Sequence, residues 1–85
     1  MPNVATPGNA FLHIAAAHCL ATECGYESIN RNMIIGDIAL AQLNIYKEDY
    51  AFAEKLRDLR HGIQNGKNPS HEDWKAALEK AARFI

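Results

Sequence analysis

The sequence predicts a compact all-α bundle of about four helices, and three features of the chain support this. Apolar residues recur at helical spacing in four segments, and the one isoleucine-rich run has the length of a helix rather than a strand. The connections between segments are short, which favours antiparallel neighbours. We therefore expect one helical domain over residues 1–85, with 1–8 as an irregular lead-in, an apolar N-terminal helical hairpin and two amphipathic helices.

The first helix is expected to end near Cys24. It begins either with Thr6 as N-cap and Pro7 in the first helical position, or with Asn9 as N-cap. Gly25 suits the residue of positive φ that commonly follows a helix. The helix is rich in alanine, which permits close approach of a neighbouring helix: Ala10, Ala15, Ala16, Ala17 and Ala21.

The second helix is expected to run from a cap at Ser28 to about Asn44, and it is apolar nearly all round. Two apolar stripes follow it at helical spacing. One stripe comprises Ile29, Met33, Leu40 and Leu43, and the other comprises Ile34, Ile38, Ala41 and Ile45. A helix with two apolar sides is expected to have neighbours on both sides.

The third helix is expected to begin within 45–47 and to end at Gly62 or Gly66, with Glu48 and Asp49 in its first turn. A narrow stripe at i, i+4, i+7 and i+11 should face the core: Phe52, Leu56, Leu59 and Ile63.

The fourth helix has the clearest start signal, because Ser70 and Asp73 have the spacing of a capping box. Its core face is expected to carry apolar residues down to the end of the chain: Trp74, Ala77, Leu78, Ala81 and Ile85.

Charge is distributed unevenly along the chain. The net charge is −1, which gives no strong general attraction to nucleic acid or to an anionic membrane. Residues 1–45 carry four charges, whereas 46–85 carry the other fifteen. No Lys or Arg precedes Arg31, so the start of a signal peptide is lacking, and the run from Ala10 to Thr22 is too short to span a membrane. We expect a cytoplasmic protein without membrane contact.

Four side chains of the first helix belong to types that bind zinc: His13, His18, Cys19 and Cys24. Helical spacing points them in different directions, so one helix cannot bring all four to a single ion. The same divergence excludes an unstrained Cys19–Cys24 disulfide, and two reduced, partly buried thiols are expected. A metal or thiol sensor, built between subunits, is a distant third interpretation.

No catalytic constellation is recognisable. Neither cysteine has a base in predictable reach, and the two serines, Ser28 and Ser70, are both explained as helix caps. We therefore predict a protein that is not an enzyme and that holds no metal or cofactor.

The nearly uncharged half of the chain predicts self-association. In so small a chain the first two helices cannot both be central, so one of their faces should meet a second copy, and Ala16 and Ile34 are the residues chosen to test this. The alternative is a tight monomeric core with the second helix in its middle.

A protein partner is the leading functional hypothesis: a non-enzymatic, homodimeric interaction module acting as adaptor, inhibitor or regulatory subunit. Tyr46, Tyr50 and Arg57 lie away from the core stripe of the third helix, and Tyr and Arg are frequent at binding hot spots. The alternative is a small nucleic-acid-associated regulator, which would use a basic cluster on that helix: Lys55, Arg57, Arg60, His61 and Lys67.

Overall fold

The computed structural model describes residues 6–28 and 30–85. Four α-helices follow one another in the chain, and a short 3₁₀ helix closes it. They are α1 (Pro7–Cys24), α2 (Asn30–Ile45), α3 (Tyr50–Gln64), α4 (His71–Ala81) and the 3₁₀ helix (Ala82–Phe84). The described part of the chain contains no strand, so the predicted all-α fold is confirmed.

The helices form two layers. α1 and α2 make an antiparallel hairpin with the most extensive contact in the molecule, α3 packs on α2, and α4 packs on α1. The Cα atoms span 31 × 29 × 18 Å, which is two helices deep. The core fills the space between the layers, and its largest fully buried side chains are Ile14, Ile34, Ile38, Ile45, Leu56, Ile63 and Trp74.

The hairpin begins and turns where the sequence predicts. Thr6 occupies the N-cap position of α1 with Pro7 as the first helical residue, and Gly25 has the expected positive φ of 85°. The Ser28 hydroxyl accepts a hydrogen bond from the Asn30 backbone N–H at 3.1 Å, so Ser28 caps α2. Ile29, which belongs to one predicted stripe, lies outside the described residues.

The predicted start of the third helix is wrong by several residues. The backbone N–H groups of Glu48 and Asp49 both donate to the Ile45 carbonyl and close a turn after α2. The Asp49 carboxylate then accepts a hydrogen bond from the Phe52 backbone N–H at 3.0 Å. Because an aspartate satisfies an otherwise unpaired N–H of a first helical turn, it lies before α3 as its N-cap rather than inside it.

The start of α4 is as predicted and its end is not. Ser70 and Asp73 form a reciprocal capping box with both bonds at 3.1 Å. Beyond Ala81 the chain tightens into a 3₁₀ helix, which turns more per residue than an α-helix and shifts the following side chains round the axis. Phe84 is consequently half-buried against the core, whereas Ile85 is 80% exposed.

Candidate protein-interaction surfaces

One of the two apolar stripes of α2 is buried and the other is exposed. Ile34, Ile38, Ala41 and Ile45 are fully buried. The other stripe lies at the surface, with Met33 55%, Leu40 46% and Leu43 69% exposed. Ile34, chosen from the sequence for self-association, is therefore a core residue and not part of any surface.

α1 contributes a matching exposed stripe. Leu12 is 62% exposed, and Ala16 and Cys19 follow it at i+4 and i+7 on the side away from the core. Ala16, also chosen from the sequence, thus lies at the surface as that hypothesis requires. We define the hairpin face as the outer side of α1 and α2, formed by Leu12, Ala16, Cys19, Met33, Gly36, Leu40 and Leu43.

Charge is nearly absent from the hairpin face. The titratable pair His13 and Asp37 lies in the seam between the helices, with Nδ1 3.3 Å from Oδ1 and each side chain 25% exposed. Glu23 lies one turn beyond Cys19, and its negative charge is the main cause that raises the pKa of the Cys19 thiol. The thiol therefore stays protonated at neutral pH, so Cys19 itself adds no charge to the face, whereas the exposed Glu23 carries one at its end.

Gly36 is unusual within the hairpin face. It lies inside α2, where glycine destabilises a helix by about 0.5–1 kcal/mol relative to alanine. A Cβ atom at this position would come within 4 Å of no other described helix and of no described side chain beyond its immediate neighbours, so no such contact requires glycine there. Gly36 and Ala16 are the two smallest residues of the hairpin face, and both are exposed.

The sequence-predicted partner residues lie together on another surface. The rings of Tyr46 and Tyr50 meet edge to face with centroids 5.1 Å apart, and the side chains are 40% and 58% exposed. Arg57 pairs with Glu54 at 3.2 Å. A hydrogen bond with Tyr46, and then the Glu54 charge, raise the pKa of Tyr50. We call Tyr46, Tyr50 and Arg57 the tyrosine stripe.

The basic residues of α3 do not share one surface. Arg60 reaches towards α2 and donates to the Gln42 side-chain oxygen at 3.1 Å, while Arg57 is paired with Glu54 on the same helix. Lys55 and Lys67 line a groove between α3 and α4. The cluster predicted from the sequence is thus divided among separate surfaces, and Lys67 lies in the loop after α3 rather than on the helix.

The histidines and cysteines of α1 are separated as the helical spacing predicts. Among the described residues, no three His, Cys, Asp or Glu side chains are close enough to hold a metal ion. His18 packs against Trp74, with ring centroids 5.4 Å apart. Both cysteines are free and exposed, so the expected partial burial of these thiols is wrong.

Neither the described helices nor known proteins point to a particular process. No described helix has the length and apolar character needed to cross a membrane. Comparison with protein-family models, curated proteins and solved structures finds no match for this chain.

Proposed function

We propose that the chain is a non-enzymatic, homodimeric interaction module, acting as adaptor, inhibitor or regulatory subunit, in which two copies meet through their hairpin faces. One observation carries the proposal. Four of the seven exposed large hydrophobic side chains of the described residues lie on this face: Leu12, Met33, Leu40 and Leu43. A contiguous exposed apolar patch is typical of a protein-interaction site.

The size of the hairpin face suits a small dimer. α1 has 18 residues, which correspond to about 27 Å, and two adjacent helices are about 20 Å wide. The face thus offers roughly 550 Å² per copy, and specific interfaces bury about 1,200–2,000 Å² in total. A face-to-face dimer would bury about 1,100 Å² in total, just below this range, so we expect weak association that depends on concentration.

The chemistry of the face favours a second copy as its occupant. A twofold axis places the same surface on both sides, so an unpaired charge near the axis would be repelled by the same charge of the other copy. The hairpin face has few such charges among its described residues: Asp37 is 25% exposed with His13 Nδ1 3.3 Å away, and Glu23 lies at the end of the face. In a face-to-face dimer, leucine side chains of one copy would pack on the small residues Ala16 and Gly36 of the other.

Light scattering coupled to gel filtration tests this proposal. The unmodified protein should shift from 9.5 kDa towards twice that mass as its concentration rises. Ala16→Arg places a charge at the centre of the face and should give a folded monomer. Ala51→Arg, the same change at an exposed alanine of α3, is the matched control and should leave the dimer intact.

Two outcomes would contradict self-association. One is a protein that stays monomeric when concentrated, and the other is an equal effect of Ala16→Arg and Ala51→Arg. Ile34→Arg is unsuitable for this test, because a charge in the core would unfold the chain.

A nucleic-acid-associated regulator is the weaker alternative. Two of its five basic residues are engaged within the protein, Arg57 by Glu54 and Arg60 by Gln42. Binding to duplex DNA that falls steeply with salt would favour this alternative over a protein partner.

A further inference from the structure

A groove separates α3 from α4 in the layer opposite the hairpin. Each of these helices packs on the hairpin, and the two make little direct contact with each other. The space between them has a volume of about 490 Å³. The loop that joins the helices, with Lys67, Asn68 and Pro69, lines one end of this groove.

The floor of the groove is apolar. Phe52 and Leu56 from α3 and Ala77 from α4 belong to the core and reach the groove with their outer edges. Leu59 is half-buried and Ala76 is exposed, so part of this apolar surface faces solvent. Such a surface is stabilised when an apolar partner covers it.

The rim of the groove is mainly basic. Lys55, Lys67 and Lys80 line it, and none of them takes part in an ion pair among the described residues. The Lys80 ammonium lies 5.7 Å from the centre of the Phe52 ring. Two carboxylates, Asp58 and Asp73, also line the groove, so the lysines exceed them by one; Asp73 in addition accepts the Ser70 N–H in the capping box.

We propose that the α3–α4 groove binds an amphipathic helix of a protein partner, with an apolar face on the groove floor and Asp or Glu residues flanking that face. This deepens the proposed function, on which it rests, by naming the partner's chemistry. The excess of unpaired lysines complements acidic flanks and repels basic ones. A helix satisfies its own backbone groups, whereas an extended strand would find no free backbone partners on α3 or α4.

The test uses two synthetic helical peptides of about 18 residues, long enough to form four turns or more. Both carry leucines at i, i+4, i+7 and i+11, with glutamates flanking the leucines in one peptide and lysines in the other. Fluorescence anisotropy measures their binding to the full chain. The acidic peptide should bind at least about tenfold more tightly, and the preference should disappear or reverse in the Lys55→Glu/Lys80→Glu double variant.

Lys75→Glu is the matched control, because Lys75 is an exposed lysine of α4 outside the groove. It should leave the peptide preference unchanged. Equal binding of both peptides, no binding at millimolar concentration, or loss of the preference in Lys75→Glu would overturn the proposal. Dodecanoate, an apolar anion that forms no helix, is a further comparison. If it binds the groove more tightly than the acidic peptide does, the proposal of a helical partner is wrong.

The peptide-binding groove and the dimer through the hairpin face can be tested independently. Ala16→Arg, designed to break the dimer, should still bind the acidic peptide. The Lys55→Glu/Lys80→Glu variant should still dimerise in light scattering. Peptide binding by a protein that stays monomeric when concentrated would support the groove and reject the hairpin face.

Discussion

The indole N–H of Trp74 donates a hydrogen bond to the Tyr26 hydroxyl across 2.6 Å and thereby ties α4 to the turn between α1 and α2. Trp74 is 1% exposed, so water does not readily replace this acceptor. The guanidinium of Arg31 lies 5.8 Å from the centre of the Tyr26 ring and donates to the Ile63 carbonyl at the end of α3. The turn between α1 and α2 thus connects both layers.

We expect Tyr26→Phe to destabilise the protein measurably. The change removes the acceptor and leaves a buried N–H unsatisfied, which costs about 1–3 kcal/mol. In a domain of this size each kcal/mol lowers Tm by about 4–8 °C. Thermal unfolding followed by circular dichroism measures the effect. Tyr50→Phe, the same change at an exposed tyrosine, is the control, and an equal Tm for both variants would contradict this role of Tyr26.

Gly36 permits a prediction in which stability and association change in opposite directions. Gly36→Ala should stabilise the isolated chain by about 0.5–1 kcal/mol, because alanine is a better helix former and the space is open. The added methyl group, and more strongly the side chain of Gly36→Leu, should weaken a dimer whose hairpins approach closely at this point. Denaturant unfolding of the dilute protein measures the first effect and light scattering the second.

Ala51→Gly is the control for helix propensity and should lower stability without altering the dimer. If Gly36→Leu dimerises as well as the unmodified protein, the second copy does not pack against Gly36. The proposed face-to-face arrangement would then be wrong.

The thiol of Cys19 gives a pH-dependent prediction. Glu23 raises its pKa because a nearby negative charge disfavours the thiolate, which is the reactive form. Glu23→Gln should therefore shift the pH profile of Cys19 alkylation to lower pH and make the reaction faster near pH 8. The measurement uses iodoacetamide in a Cys24→Ser background, so that only Cys19 reacts. Glu48→Gln is the control, and an unchanged profile in Glu23→Gln would exclude the charge as the cause.

Local sequence signals predict most of the fold. The capping box of Ser70 and Asp73, the cap at Ser28 and the proline at the start of α1 act over a few residues, so they are readable in the chain. Asp49 shows the limit of such reading. An aspartate is favourable both in the first turn of a helix and as its N-cap. The turn closed on the Ile45 carbonyl places Asp49 before α3, as the N-cap.

The surfaces are less predictable than the helices. Helical spacing separates the two stripes of α2 but cannot say which one the other helices cover, and so Ile34 is assigned to a surface that it does not reach. The positions of Leu12 and Gly36 on the hairpin face can be read from the sequence, since each lies at helical spacing from other residues of that face. The groove carries no such signal, because Lys55 and Lys80 are brought together only by the packing of α3 and α4 on the hairpin.

The two C-terminal residues, Phe84 and Ile85, are expected to contribute unequally to stability. Deleting Ile85 alone should leave Tm almost unchanged, because its side chain is 80% exposed. Deleting Phe84 as well should lower Tm, because the Phe84 ring is half-buried against the core. Thermal unfolding of both truncated chains measures the difference. A large loss on deleting Ile85 alone would show that this residue packs on the protein.

The tyrosine stripe and the groove are separate candidates for a partner surface on the same helix. Tyr50 and Arg57 lie on one side of α3, and Lys55 lies roughly 140–160° away round the helix axis, so one partner helix cannot cover both. Tyr50→Ala should leave the helical spectrum and the dimer unchanged, because the side chain is 58% exposed and its main contact is the ring of Tyr46.

We expect a partner isolated from the native host to distinguish the two surfaces by titration calorimetry. If the partner uses the tyrosine stripe, Tyr50→Ala or Arg57→Ala should weaken binding roughly thirtyfold, the loss typical of truncating a hot-spot residue. The Lys55→Glu/Lys80→Glu variant should then bind normally. If the partner uses the groove, the Lys55→Glu/Lys80→Glu variant should bind weakly, because its glutamates repel the acidic flanks of the partner helix. Tyr50→Ala and Arg57→Ala should then bind normally. Lys75→Ala serves as the control for both cases, since its side chain lies outside either surface. Equal affinities for all four variants would reject both surfaces on α3.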